Sequence, residues 1–189
     1  MQVKHLANII TFNHLIVTMR ITGSQFALRT WLESDAASLQ KHANNVNISK
    51  YLFDRFPFPY QLSDAEKFIN SKLDQDPVVN FAIEIDGEVA GGIGVELRQD
   101  VYRKSPLLGY WLSEQHWGKG IMPEAVKLVT DYAFENLDVI CIVANAFGHN
   151  PKSMRVLEKA GFVRQGIIKQ CAVKYGEVYD EHVFAFHRK

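Results

Sequence analysis

Gln115-His116-Trp117-Gly118-Lys119-Gly120 joins an apolar, strand-like run (Leu107–Leu112) to a strongly helical one (Ile121–Asn136). A glycine-bearing loop between a strand and a helix exposes backbone N–H groups where the helix begins, and the helix macrodipole adds partial positive charge there. Glycine lets the backbone approach an anion closely and reach positive φ. The stretch therefore suits a phosphate or pyrophosphate. It is not a Walker A loop, because the GxxxxGK[ST] spacing is missing and no hydroxyl residue follows Lys119; nor is it GxGxxG, because position 123 is proline. The same six residues also suit an ordinary glycine turn before a helix, so both readings stand at this point.

Outward from the loop, the pattern alternates strands and helices. The helix after it carries Ile121, Ala125, Leu128, Val129 and Tyr132 at the spacing of a buried face. Residues 139–146 form a largely apolar run rich in β-branched residues, as in a central strand. Asn150 and Pro151 start a further helix and Gly161 ends it. Strands over 163–173 and 178–186 follow, turning near Gly176. Upstream, 81–85 and 88–97 flank Asp86-Gly87, a preferred type I′ hairpin turn. A first strand fits 26–31, Ser34-Asp35 caps a helix over 36–43, and a short helix is expected over 48–53. Ser63-Asp64-Ala65-Glu66 reads as a capping box, with Glu66 reaching back to Ser63. Between these lie Pro57 and Pro59 and an aromatic cluster of Phe53, Phe56, Phe58 and Tyr60.

At 189 residues, 47% apolar and 22% charged, the chain suits one globular domain. The expected division is an N-terminal extension over 1–24 and a single domain over 25–189. Lysine plus arginine equals aspartate plus glutamate, which argues against a dedicated nucleic-acid surface or a polybasic membrane anchor. Cys141 and Cys171 sit in apolar runs and read as buried free thiols of a reducing, cytoplasmic compartment. The seven histidines form neither HxxxH nor HExxH, so no metal site is expected. Residues 6–18 have the outline of a signal peptide, but Asn8, Asn13 and His14 interrupt them and no A-x-A-like site follows. The expectation is that Met19 is the natural start or that 1–18 are dispensable. A monomer or homodimer is expected.

A second segment carries chemistry. Asn150-Pro151-Lys152-Ser153-Met154-Arg155-Val156-Leu157-Glu158-Lys159-Ala160-Gly161-Phe162 places Ser153, Leu157 and Ala160 on one helical stripe. A hydroxyl on an apolar stripe must bond a backbone carbonyl or a ligand.

The pair Gln115-x-x-Gly118-x-Gly120 and Asn150-x-x-Ser153…Gly161-Phe162, with strand and helix between, resembles the GNAT N-acetyltransferase superfamily. Gly109-Tyr110-Trp111-Leu112, the run 155–162 and the tail Lys174-Tyr175-Gly176-Glu177…Asp180 resemble its Rim-type branch, which includes ribosomal-protein N-terminal acetyltransferases. The likeness runs from about Phe26 to the C-terminus.

The resemblance implies an α/β (α+β) fold: a mixed, twisted sheet of about seven strands, flanked by helices and splayed between the strand ending at Leu112 and that over 139–146. Acetyl-CoA, the acetyl donor, would lie in the splay. Its pyrophosphate would meet Gln115, Trp117, Gly118, Lys119, Gly120 and Ile121, and its pantetheine the strand edge at Trp111, Leu112 and Ser113. Asn150 and Ser153 would flank the pantetheine and sulfur, with Ser153 assisting the leaving thiolate as the catalytic residue. Many members carry a tyrosine acid where this chain has Leu157, and some a glutamate on the strand matching 139–146, which here has no acidic residue. A glutamate of one Rim-type relative aligns with Ala172. Met122 and Pro123 stand where small residues are usual.

The implied reaction is attack of a neutral amine on a thioester, with a strand amide stabilising developing charge. A lysine-like amine of pKa about 10.4 is neutral about once in 2,500 molecules at pH 7, and an α-amine near 8 about one time in ten. A site without an evident base therefore favours an α-amine. Glu84, Glu96 and Asp180 are candidate bases, and Tyr60 and Tyr110 candidate acceptor-side residues. The leading expectation is an acetyl-CoA-dependent N-acetyltransferase for a protein or peptide N-terminus. The alternatives are a small-molecule acetyltransferase (amino acid, polyamine or antibiotic), a CoA-binding module without turnover, and more distantly a nucleotide-binding module.

Overall fold

The computed structural model describes residues 19–188. The expectation that residues 1–18 are dispensable lies outside the described residues. Eight strands form one sheet: β1 Arg20–Thr22, β2 Ala27–Arg29, β3 Asn80–Ile85, β4 Glu88–Glu96, β5 Leu107–Leu112, β6 Cys141–Phe147, β7 Val163–Lys174 and β8 Glu177–His187. Their spatial order is β1-β2-β3-β4-β5-β6-β8-β7. Every neighbouring pair is antiparallel except β5 and β6. Among the described residues, five α-helices accompany the sheet: α1 Ala36–Ala43, α2 Val46–Ser49, α3 Leu62–Asn70, α4 Ile121–Asn136 and α5 Pro151–Lys159.

The mixed α/β class matches expectation, with eight strands rather than about seven. The extra strand, β1, is only Arg-Ile-Thr, too short and polar to signal itself; it pairs with β2 from within the stretch 1–24. The Asp86-Gly87 hairpin forms as read, with φ of 51° and 83°. The box at the start of α3 sits two residues upstream of the expected one. Gln61 is the N-cap and its N–H donates to Asp64 Oδ2 at 2.9 Å, so Asp64 does what was expected of Glu66. The cysteine reading is corrected: Cys141 is partly exposed and Cys171 exposed. Cys171 lies in β7, an edge strand whose apolar residues are not covered on either face.

Side-chain alternation divides the sheet into two faces. Leu108, Leu112, Ile142, Ala144 and Phe184 join Ile121, Ala125, Val129 and Leu157 in the larger core, under α4 and α5. Trp31, Ala82 and Val89 join Leu39, Ala43, Ala65 and Ile69 in a smaller core, under α1 and α3.

The one parallel pairing positions the site. Between β5 and β6 only Leu107↔Val143 and Leu108↔Ala144 are in register. A crossover through α4 forces these strands parallel, and past those two pairs they diverge. Among the described residues, no helix is long and apolar enough to cross a membrane.

Candidate active site

The divergence of β5 from β6 leaves backbone groups facing a gap. The Ser113 N–H donates to the Ala90 carbonyl at 2.7 Å. Pairing groups alternate sides along an antiparallel ladder, so Trp111 and Gly109 also turn toward β4. Tyr110 and Leu112 turn the other way, into the gap. There the Leu112 carbonyl accepts from Trp117 Nε1 at 2.8 Å, which folds the loop back over the strand end.

Beyond β5 the chain makes a short 3-10 turn, Glu114–His116, and then reaches Gly118 and Gly120 with φ of 79° and 82°. A Cβ at either glycine would meet no atom within 4 Å. Their smallness is thus required by the left-handed backbone and leaves open space beside it. Gly120 is the N-cap of α4 and no side chain caps this helix. The first-turn N–H groups of Ile121 and Met122 therefore retain their capacity for an anion. Glu124, in the same turn, is drawn aside by Ser24, whose N–H donates to it at 2.8 Å and whose hydroxyl donates to its other oxygen.

A cleft of about 1350 Å³ passes from this loop through the gap to the face carrying α1–α3. Of the residues expected at the donor, Trp111, Leu112, Trp117, Gly118, Gly120, Ile121, Asn150 and Ser153 line it; Ser113, Gln115 and Lys119 do not. Ser113 is 5% exposed, and its hydroxyl meets His42 Nδ1 at 3.0 Å, while His42 Nε2 meets Glu88 at 3.1 Å. This serine–histidine–carboxylate chain has the order of a hydrolase triad but no access to the cleft; it ties the loop's start to α1. Gln115 bonds its neighbour His116, and the Lys119 carbonyl receives Gln25 Nε2 at 3.4 Å.

The sequence reading missed a row of cations. Lys152, Arg155 and Lys159 line the cleft from one face of α5, with Lys152 Nζ 4.7 Å from the Trp117 ring centroid. Their i, i+3, i+7 spacing was the available signal.

Asn150 caps α5 through its side chain, accepting from the Ser153 N–H at 3.2 Å. That cap places Ser153 in the first turn, where its Oγ lies 2.8 Å from Tyr110 Oη. Tyr110 thus faces α5 and not the acceptor side expected of it: it shares parity with Leu108 and Leu112 on β5. Burial of the hydroxyl pushes Tyr110 above the ordinary phenol value, against the smaller lowering by its Ser153 hydrogen bond. Leu157 is fully buried in the core.

On the opposite face, Phe56 lies between Tyr60 and Trp111, with centroids 4.9 and 5.6 Å away. Tyr60 lines the cleft and is 4% exposed; burial, with Asp64 nearby, pushes it up to about 12. Glu96 lines the cleft but pairs with Arg55 at 2.7 Å. Glu84 does not line the cleft. Burial alone would raise its carboxyl, but hydrogen bonds and charge from Arg20 and Arg29 outweigh that and hold it below its ordinary value. Asp180 accepts from Lys169 Nζ at 2.8 Å and the Gln170 N–H at 3.0 Å, outside the cleft. Asp54, at the mouth, is held by Lys174 at 2.8 Å. No cluster of three or more metal-ligating side chains occurs among the described residues.

Known proteins share this fold. The family model described as "Acetyltransferase (GNAT) domain" matches residues 25–163. A Bacillus subtilis (strain 168) protein named "Probable N-acetyltransferase YjcK" is 48% identical over 79 residues, spanning 42% of this chain and 43% of that one. The spermidine N(1)-acetyltransferase of Vibrio cholerae is 26% identical over 76% of this chain and 82% of its own. The structure of RimL, a ribosomal L7/L12 alpha-N-protein acetyltransferase in complex with coenzyme A, superposes with a TM-score of 0.77. It covers 89% of this chain and 97% of its own at 23% identity.

Proposed function

This chain belongs to the GNAT family of acetyl-CoA-dependent N-acetyltransferases, and from that premise we propose that its acceptor is the α-amine at a peptide or protein N-terminus. The carrying observation is the state of the carboxylates around the acceptor mouth. Asp54 is paired with Lys174 and Glu96 with Arg55, which leaves Glu181 as a single unpaired carboxylate there, too few for the acidic groove a polycation needs. Its wall is aromatic and neutral, built from Phe56, Tyr60 and Trp111. A small-molecule amine is the second reading, favoured by the tightness of that stack.

The donor side divides into three tasks. The left-handed glycines and the uncapped start of α4 suit the pyrophosphate. Lys152 and its neighbours on α5 add positive charge along the same edge. The backbone of Tyr110 and Leu112, turned into the gap, suits the amides of pantetheine. The three chemistries complement an acetyl-CoA donor.

In the reaction the amine enters from the α1–α3 face and the sulfur departs toward α5. The Tyr110 N–H on the gap edge stabilises charge on the thioester oxygen as the C–N bond forms. Ser153 donates to the sulfur as the C–S bond breaks. Tyr110 acts through Ser153. A phenol is a better donor than an aliphatic alcohol, so Tyr110 donates to Ser153 Oγ and turns the serine proton outward, to the sulfur. The raised Tyr110 value keeps that phenol protonated at working pH.

The test is calorimetric titration with acetyl-CoA, then thiol release against free α-amine peptides, their N-formyl counterparts, spermidine and small amines. Turnover of the free α-amine peptides alone is the expected result. Turnover of spermidine or small amines alone would replace the peptide acceptor.

A further inference from the structure

We propose that Glu181 is the general base that deprotonates the acceptor amine, an assignment that rests on the acetyltransferase reading above. Glu181 lines the cleft, is half-buried, and among the described residues its carboxylate has neither a hydrogen-bond nor an ion-pair partner. The carboxylates expected as bases are each occupied, Glu84 by two arginines, Glu96 by Arg55 and Asp180 by Lys169, and Asp54 at the mouth is held by Lys174.

Register puts Glu181 at the right height. Leu108↔Ala144 carries Tyr110 to the level of Ala146, and Glu181 pairs with Phe147, one residue further. Glu96 pairs with Leu107, level with Val143. That is four residues from Phe147, about 13 Å at some 3.3 Å per residue.

Alternation also puts Glu181 on the right face. Phe184 is buried against α4 and α5, and Phe186 packs on Phe134 and Phe162. Glu181 is odd where these are even, so it faces the opposite side, with Phe147 and the acceptor wall. Ser153 and Tyr110 lie on the α5 side. Proton removal and thiolate departure thus occupy opposite faces of one gap.

The step balances. The acceptor ammonium gives one proton to Glu181, which passes it to solvent at the mouth. The neutral amine forms the C–N bond, the C–S bond breaks, and the amine's second proton ends on the sulfur through Ser153. The other ionisable groups around Glu181 are His149 ahead of α5, stacked on Tyr179 at 3.8 Å, Tyr179 and His182 on β8, Lys169 on β7, and the Asp54–Lys174 and Arg55–Glu96 pairs. None of them bonds Glu181.

The experiment compares full-length wild type with Glu181→Gln and Glu181→Asp, following kcat/KM for a free α-amine peptide from pH 6.5 to 9.5. Glu181→Gln should fall at least about tenfold at pH 6.5, and the gap should close to about twofold above pH 9, where an α-amine is neutral unaided. Glu181→Asp should keep an intermediate rate. Acetyl-CoA affinity of both variants should match wild type, showing an intact fold. A gap that is absent, or constant across pH, would overturn the assignment. If only spermidine turns over, the peptide reading fails by itself, and Glu181 is judged by the same closing gap on spermidine, at higher pH. No turnover with any acceptor overturns both.

Discussion

The two faces of the gap are built by different means. On the donor face the groups are mostly backbone, set within the short stretch from Leu112 to Ile121 and fixed by two left-handed glycines. On the acceptor face they are side chains from distant segments: Phe56 and Tyr60 from the loop between α2 and α3, Trp111 from β5 and Glu181 from β8. A backbone site depends on a few residues that must take one conformation. A side-chain site depends on packing, and its chemistry changes with any one of several positions. The donor face therefore specifies the reaction and the acceptor face the substrate.

That division predicts separable defects. Gly118→Asp forces a side chain into left-handed backbone and sets a negative charge at the anion's place. Its acetyl-CoA Kd should rise at least about 100-fold, close to 2.7 kcal/mol, by calorimetry. Unchanged affinity would remove the loop from the donor site. Ser153→Ala should lower kcat about 10- to 100-fold with little change in donor Kd. Equal losses in both would make Ser153 a binding residue only. Phe56→Ala should raise the acceptor KM about five- to tenfold through loss of its two aromatic contacts, leaving donor affinity alone. A matching rise in donor Kd would join the two faces into one site. Lys152→Ala should weaken donor binding about two- to fivefold at low salt, and the difference should shrink as salt rises, because the ammonium is a partly solvated charge.

The same division explains what the sequence disclosed. The bounds of α1, β5 and α4 are as read, and α5 begins and ends where Asn150, Pro151 and Gly161 put it, because caps, proline and glycine act locally. Asn150 and the glycines line the cleft for the same reason. Ser113 and Lys119 do not line the cleft, because membership of a loop says nothing of which way each group turns. Ser113 is bound from both ends, by Ala90 and His42. The Tyr110–Ser153 contact spans 43 residues of sequence and needs the β5–β6 divergence to exist at all. Glu181 was overlooked beside Asp180, although alternation along β8 separates them: one faces the cleft and the other braces the bulge at Gln170.

The divergence of β5 from β6 makes the sheet a wall with a window rather than a floor with a pit. Donor and acceptor reach the reacting carbon from opposite sides, so neither must leave before the other arrives. Such a window calls for no acetylated enzyme and imposes no queue. Initial rates measured against both substrates should give intersecting lines rather than parallel ones, and coenzyme A should compete with the donor without blocking the acceptor's entrance.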